Sequence, residues 1–179
     1  MVSKEITIDA SGLPKGVTLN GGGTTRLISV TGAGNLRLKR LTLNAGNSAG
    51  AIASGFGGAI YNAGQLRLEN SMFTGSTSVN YGGAVSSTGS LEVIGCTVSG
   101  NTAGSLGGGI YSASSGNLII TNTTITGNTA FLFGGGVYHT SALTLNHSTL
   151  TANHAGNKGG GVYNDFSSAL DLRSSIVAG

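Results

Sequence analysis

Apolar and polar residues alternate along this chain in short runs, and the runs recur. Leu143 and Leu145 flank Thr144 and are followed by Asn146; Leu150 stands between Thr149 and Thr151. A period of two puts successive side chains on opposite faces of a strand, leucines inward and threonines outward. The same Leu-x-aliphatic unit begins at Leu36, Leu66, Leu91, Leu118, Leu143 and Leu170, with a fragment at Val17-Thr18-Leu19-Asn20. A second unit is a glycine pair, a small residue, an aliphatic and often a tyrosine. Its copies are Gly57-Gly58-Ala59-Ile60-Tyr61, Gly82-Gly83-Ala84-Val85-Ser86, Gly107-Gly108-Gly109-Ile110-Tyr111, Gly134-Gly135-Gly136-Val137-Tyr138 and Gly159-Gly160-Gly161-Val162-Tyr163. Their starts lie 25, 25, 27 and 25 residues apart.

Each period holds three short strands separated by corners rich in Gly, Asn and Ser. No segment carries the 3.6-residue periodicity that a βαβ repeat needs. The pattern predicts an all-β fold, a right-handed single-stranded parallel β-helix of about 6–7 coils of about 25 residues, three short strands per coil. Stacked coils pair in parallel at about 4.8 Å, so equivalent residues form ladders. One interior ladder runs Leu43, Phe73, Val98, Ile125, Leu150, Val177, and another Ile60, Val85, Ile110, Val137, Val162. The right hand follows from the preference of parallel crossovers. A single domain is expected over 1–179, with irregular coils in 1–35, regular coils over 36–179, and a loop departure at 47–56. Asn101, Asn128 and Asn153 fall at one corner, where stacked amides would form a structural ladder along the axis.

Composition narrows the alternatives. Glycine is 33 of 179 residues, yet there is one proline and no Gly-X-Y period, which excludes collagen. Charged residues are 8% and apolar ones 39%, unlike a disordered chain. Net charge is +3, which gives no reason to expect nucleic acid as a partner. No apolar run approaches the roughly 20 residues that span a bilayer, so no membrane insertion of this segment is expected. Cys96 is alone and forms no internal disulfide. Strand pattern starts at Ile6-Thr7-Ile8, directly after Met1-Val2-Ser3-Lys4, and no leader is read from the sequence.

The pieces Ile6-Thr7-Ile8-Asp9-Ala10, Gly16-Val17-Thr18-Leu19-Asn20-Gly21-Gly22-Gly23, Thr121-Asn122-Thr123-Thr124-Ile125-Thr126-Gly127-Asn128 and Ser175-Ile176-Val177-Ala178-Gly179 resemble the right-handed β-helix repeat proteins of bacteria. The Gly-Gly-Ala-Ile run at 57–60 is similar to repeats of polymorphic outer-membrane proteins. The resemblance covers nearly the whole chain and implies the fold, together with an extracellular or cell-surface setting within a longer polypeptide. A Cys-Ser-Leu-Arg-Glu-Ala segment frequent in such proteins is missing, and the sequence stops mid-corner at Gly179.

Many β-helix proteins cleave polysaccharides, which needs clustered carboxylates. The acidic residues are Glu5, Asp9, Glu69, Glu92, Asp165 and Asp171. Glu69 aligns with Ile94 and Glu92 with Arg67, which reads as a solvated charge ladder across paired strands rather than an acid–base pair. His139, His147 and His154 occupy separate corners, so one metal does not collect them. Cys96 aligns with Ser71, Thr123, Ser148 and Ser175, a small corner position. Arg37, Lys39, Arg40 and Arg67 form a basic patch on neighbouring coils, read as a solvated face with polyanion binding the minor alternative. No catalytic residue, cofactor or metal site is assigned.

Two outward arrays are candidates for binding. The third strand presents Thr18, Thr42, Thr74, Thr97, Ser99, Thr124, Thr126, Thr149 and Thr151, in two columns about 6.8 Å apart along the strand. A flat hydroxyl-and-methyl surface of this kind is similar to the faces of ice-binding solenoids, though Thr is also simply a good exposed strand residue. Asn20, Asn44, Met72 and Ile176 interrupt it. The second array is Tyr61, Tyr111, Tyr138 and Tyr163, interrupted by Ser86. It offers rings either to sugar stacking or to one another. The sequence therefore reads first as a non-enzymatic structural or adhesive segment of a secreted or cell-surface bacterial protein. Ice and surface glycan are the candidate ligands, end-to-end self-association is open through unpaired edges, and a polysaccharide lyase or hydrolase comes last.

Overall fold

The computed structural model describes residues 1–51, 53–114, 117–165 and 168–178; Ile52 of the expected excursion and the terminal Gly179 lie outside the described residues. All regular structure among the described residues is β, and every strand pairing is parallel. Each coil runs through three main sheets. Sheet 1 stacks Ile28–Val30, Ile60–Asn62, Val85–Ser87, Ile110–Ser112, Val137–His139 and Val162–Asn164. Sheet 2 stacks seven strands, from Glu5–Asp9 and Asn35–Lys39 at one end to Leu143–Asn146 and Leu170–Arg173 at the other. Sheet 3 stacks seven more, from Val17–Asn20 and Leu41–Asn44 to Thr149–Thr151 and Ile176–Val177.

The register follows the repeat. Leu43 pairs with Phe73, Phe73 with Val98, Val98 with Ile125 and Ile125 with Leu150. These side chains are fully buried, as are Ile60, Val85, Ile110 and Val137 in sheet 1. The core is thus a set of aliphatic ladders inside the tube. Burying one such side chain contributes about 1.5–3 kcal/mol.

The expectation of three strands per coil needs a correction. Thr77–Ser78, Thr102–Ala103, Thr129–Ala130 and His154–Ala155 form a fourth sheet after the asparagine corner. These strands have two residues each, too short for an alternating pattern to register in the sequence. The first 35 residues are also more regular than expected. Their strands continue sheets 1, 2 and 3 in register, with Ile6 on Leu36 and Leu19 on Leu43. The irregular segments are the connections 10–16 and 21–27.

Corners repeat as strictly as strands. Between sheets 2 and 3 one residue per coil is left-handed: Arg40, Asn70, Gly95, Asn122, His147 and Ser174, with φ between 47° and 63°. After sheet 3 the same role falls to Ala45, Gly75, Gly100, Gly127 and Ala152. The paired glycines have two separate causes. The first of each pair, such as Gly107 at φ 66°, is left-handed. The second is not, but a Cβ on Gly108 would lie 2.3 Å from the carbonyl oxygen of Gly135 on the next coil. Close stacking of backbones excludes any side chain there.

Polar ladders satisfy the buried corners. Asn101, Asn128 and Asn153 lie inside, from 0% to 4% exposed. The Asn128 Oδ1 accepts from the backbone N–H of Asn101 at 3.0 Å and from its side-chain amide at 2.9 Å. Asn153 does the same for Asn128, and Asn101 accepts from the Ser76 N–H. The amide nitrogens donate to the carbonyls of Phe73, Val98 and Ile125. A second ladder of Ser71, Cys96, Thr123, Ser148 and Ser175 lies at the other corner. Its hydroxyls accept from the backbone of the preceding coil at 3.0–3.2 Å. Replacing Asn128 by Ala strips acceptors from two Asn101 donors and a donor from the Val98 carbonyl. Asn128→Ala is expected to lower unfolding free energy by about 3 kcal/mol in urea denaturation.

Candidate functional site

The threonine array of sheet 3 lies where the alternation places it. Thr18 pairs with Thr42, Thr97 with Thr124 and Thr124 with Thr149 in one column; Thr74, Ser99, Thr126 and Thr151 stack in the other. All point outward, opposite the buried Leu43–Leu150 ladder. Hydroxyls stand in both columns on the three coils at 97–99, 124–126 and 149–151; Met72 and Asn44 break the pattern below them. The fourth sheet adds a column not foreseen from the sequence: Thr77, Thr102 and Thr129, all exposed, followed by His154.

The tyrosine column also stands in register, Tyr61 on Ser86, Tyr111, Tyr138 and Tyr163. Its rings face one another. Tyr111 and Tyr138 stack at 5.4 Å and 15°, Tyr138 and Tyr163 at 5.4 Å and 9°. The gap at Ser86 is filled by Tyr81, which comes from a neighbouring ladder of Phe56, Tyr81, Leu106, Phe133 and Lys158. Tyr81 stacks on Tyr111 at 4.9 Å, and Phe56 joins Tyr61 to Tyr81. Between stacked neighbours both ring faces are taken, so the column turns edges toward solvent. Tyr138 is 8% exposed and donates its hydroxyl to Asp165 at 2.9 Å. Burial and that carboxylate push its ionisation well above the usual tyrosine range. A signal for Tyr81 existed in the sequence: an aromatic recurs just before the glycine pair at Phe56, Tyr81 and Phe133.

Arg26 closes the column at its other end. Its guanidinium lies 5.6 Å from the Tyr61 ring centre. It donates to the carbonyls of Ala53 at 2.7 Å, Phe56 at 2.5 Å and Gly57 at 2.9 Å. Burial lowers its pKa from the ordinary arginine value. The excursion beginning at Asn47 is thus tied down from within. Beside it, near Tyr61 and Ala53, lies a hollow of about 70 Å³.

The charged groups of sheet 2 need a correction as well. The Glu69 side chain is only 9% exposed, beneath Arg37 at 2.8 Å and against Arg67. Arg67 also bonds Glu92. Glu69 is therefore a packed ion pair, not a solvated rung, because two arginines of the neighbouring outward column cover it. The two guanidiniums hold its carboxyl below the usual glutamate range. The basic patch is tied internally in the same way: Lys39 meets Asp9 at 3.5 Å and Arg40 donates to the Ser11 carbonyl. Glu5, Arg37, Arg67 and Glu92 border an open depression of about 320 Å³ on the outer face.

The histidines remain apart. His139 is fully buried with its ring nitrogens facing the carbonyls of Ser112 at 2.9 Å and Ala142 at 3.2 Å. His147 takes the left-handed corner and His154 the exposed fourth sheet. No cluster of three metal-binding side chains occurs among the described residues. Cys96 is 2% exposed, donates to the Ile94 carbonyl, and has its pKa pushed up to about 11 by burial. It packs as the small corner residue the alignment of repeats implies.

The family profile described as a right-handed beta helix region matches residues 15–177. The chain belongs to this right-handed β-helix family. The match supplies the hand of the solenoid, in agreement with the parallel crossovers. Comparison with curated proteins and with solved structures found no match. Membership fixes how this β-helix is built and leaves its chemistry to its own surfaces.

Because the Glu69 pKa is depressed, its contribution to stability is present above the ordinary value of 4.5 and is lost as pH falls through the lower folded value. The Glu69→Gln β-helix should be less stable at neutral pH and show a flatter decline below pH 4.5 than the parent, measured by thermal melts across an acid series.

Proposed function

We propose that this β-helix is a non-enzymatic, rigid structural segment of a secreted or surface-anchored bacterial protein, and that its flat faces serve adhesion. The observation that carries the reading is the coupling of five of the six acidic side chains, all but Glu5, to structural partners. Asp9, Glu69, Glu92 and Asp171 sit in ion pairs, and Asp165 accepts from a tyrosine. A general acid–base pair needs two carboxyls held at a defined separation across a substrate. Here Arg67 stands between Glu69 and Glu92 and binds both. The resemblance to surface repeat proteins supports the setting, and the coil-to-coil ladders support rigidity, since each repeat is templated by its neighbours. Incubation with polygalacturonate, xylan and chitin, followed by reducing-end and unsaturated-product assays, should detect no cleavage. Sustained turnover that disappears in Glu92→Gln would overturn the reading.

A second reading is favoured by one feature, the in-register hydroxyl pairs at 97–99, 124–126 and 149–151 beside the Thr77–Thr102–Thr129 column. Threonine columns at strand and coil spacing would order water on a lattice and let the solenoid bind ice. Under that reading the parent shapes ice crystals and shows thermal hysteresis, while the Thr126→Tyr/Thr151→Tyr double variant does not. Round crystals from the parent at high concentration reject it.

A further inference from the structure

We propose that Phe131 and the trough beside it form a binding site for neutral polysaccharide chains, which names the ligand of the adhesive reading and rests on that reading. Phe131 is 71% exposed in the middle of the solenoid. Every other described aromatic ring lies in the core, as Phe73 does, or in the ring column. Phe131 follows Thr129–Ala130, and the register of the fourth sheet puts Gly104 and Gly156 at its position on the adjacent coils. Neither can carry a side chain. A Cβ at Gly104 would lie 2.0 Å from the Val79 carbonyl oxygen, and one at Gly156 would lie 2.3 Å from that of Phe131. The ring therefore stands between two bare coils, with no neighbouring ring to cover it.

The trough holds about 510 Å³, and Thr129, Leu132, His154 and Asn157 line it with the ring. A pyranose has an apolar C–H face and a rim of hydroxyls. An uncovered aromatic face next to a hydroxyl, an imidazole and a carboxamide matches both parts. No carboxylate, lysine or arginine lines the trough, so the matching sugar is uncharged. Val79, 51% exposed, occupies the equivalent position two coils away, beyond Gly104. Two apolar points roughly 10 Å apart along the axis suit a polymer rather than a single sugar. A second copy or another protein is the poorer occupant. Stable protein interfaces use about 20–30 residues a side, and the trough is lined by seven.

The test is affinity electrophoresis of the full chain through gels containing hydroxyethylcellulose, galactomannan or dextran. Retardation by at least one polymer is expected, weakened roughly tenfold in Phe131→Ala and kept in Phe131→Tyr and in the Thr126→Tyr/Thr151→Tyr variant. Phe131→Ala should melt with the parent, because the ring is already in water. The proposal falls if no polymer retards the parent, if Phe131→Ala is retarded equally, if it melts well below the parent, or if light scattering finds a Phe131-dependent dimer. Loss of this site leaves the rigid-segment reading standing. Polysaccharide cleavage with intact Phe131-dependent retardation would remove that reading and keep the site.

Discussion

A tube closed on itself once per coil must turn its backbone inside a dry interior, and every N–H group at a turn needs a partner there. The stacked asparagines meet that demand. The amide oxygens of Asn128 and Asn153 each take two donors from the coil before, that of Asn101 takes one, and each amide nitrogen answers a carbonyl of the preceding coil's strand. An unpaired buried donor costs about 1–3 kcal/mol, so a corner without this ladder would destabilise every coil that touches it. The hydroxyl ladder from Ser71 to Ser175 does the same work at the other turn. Together they hold successive coils at one spacing, and the aliphatic ladders stack at that spacing in the buried core.

The same spacing accounts for the glycines and for the aromatic column. Coils close enough to share corner hydrogen bonds leave no room for a Cβ at Gly58, Gly83, Gly108 and Gly135. On the outer face, equivalent rings arrive at a separation that suits offset stacking, so Tyr111, Tyr138 and Tyr163 shield one another. The surface is in this sense a readout of the interior. What the chain can display is whatever its outward columns carry, repeated at coil spacing, with interruptions where a column changes residue.

Those interruptions are where function is to be sought. Ser86 interrupts the tyrosines, yet Tyr81 closes the gap and the column stays continuous. Glu69 interrupts a row that holds Lys39 and Ile94, and two arginines bury it. Phe131 stands between Gly104 and Gly156 in its row and stays exposed. The first two are absorbed into packing; the third is not.

The sequence by itself determined the repeat length, the parallel solenoid, the inward aliphatic ladders, the outward threonine and tyrosine columns and the asparagine corner. All of these depend on local alternation and on a period, and both are written in residue order. Only the tertiary structure decided three matters. It revealed the fourth sheet, since two-residue strands carry no period of their own. It decided that Tyr81 completes the ring stack, that Arg26 ends it, and that Glu69 is packed rather than solvated, because these contacts join positions from different columns or different coils. It also decided which aromatic remains uncovered among the described residues. Whether a ring is covered depends on the side chains of the coils above and below, and at Phe131 those are glycines held bare by the close approach of the backbone.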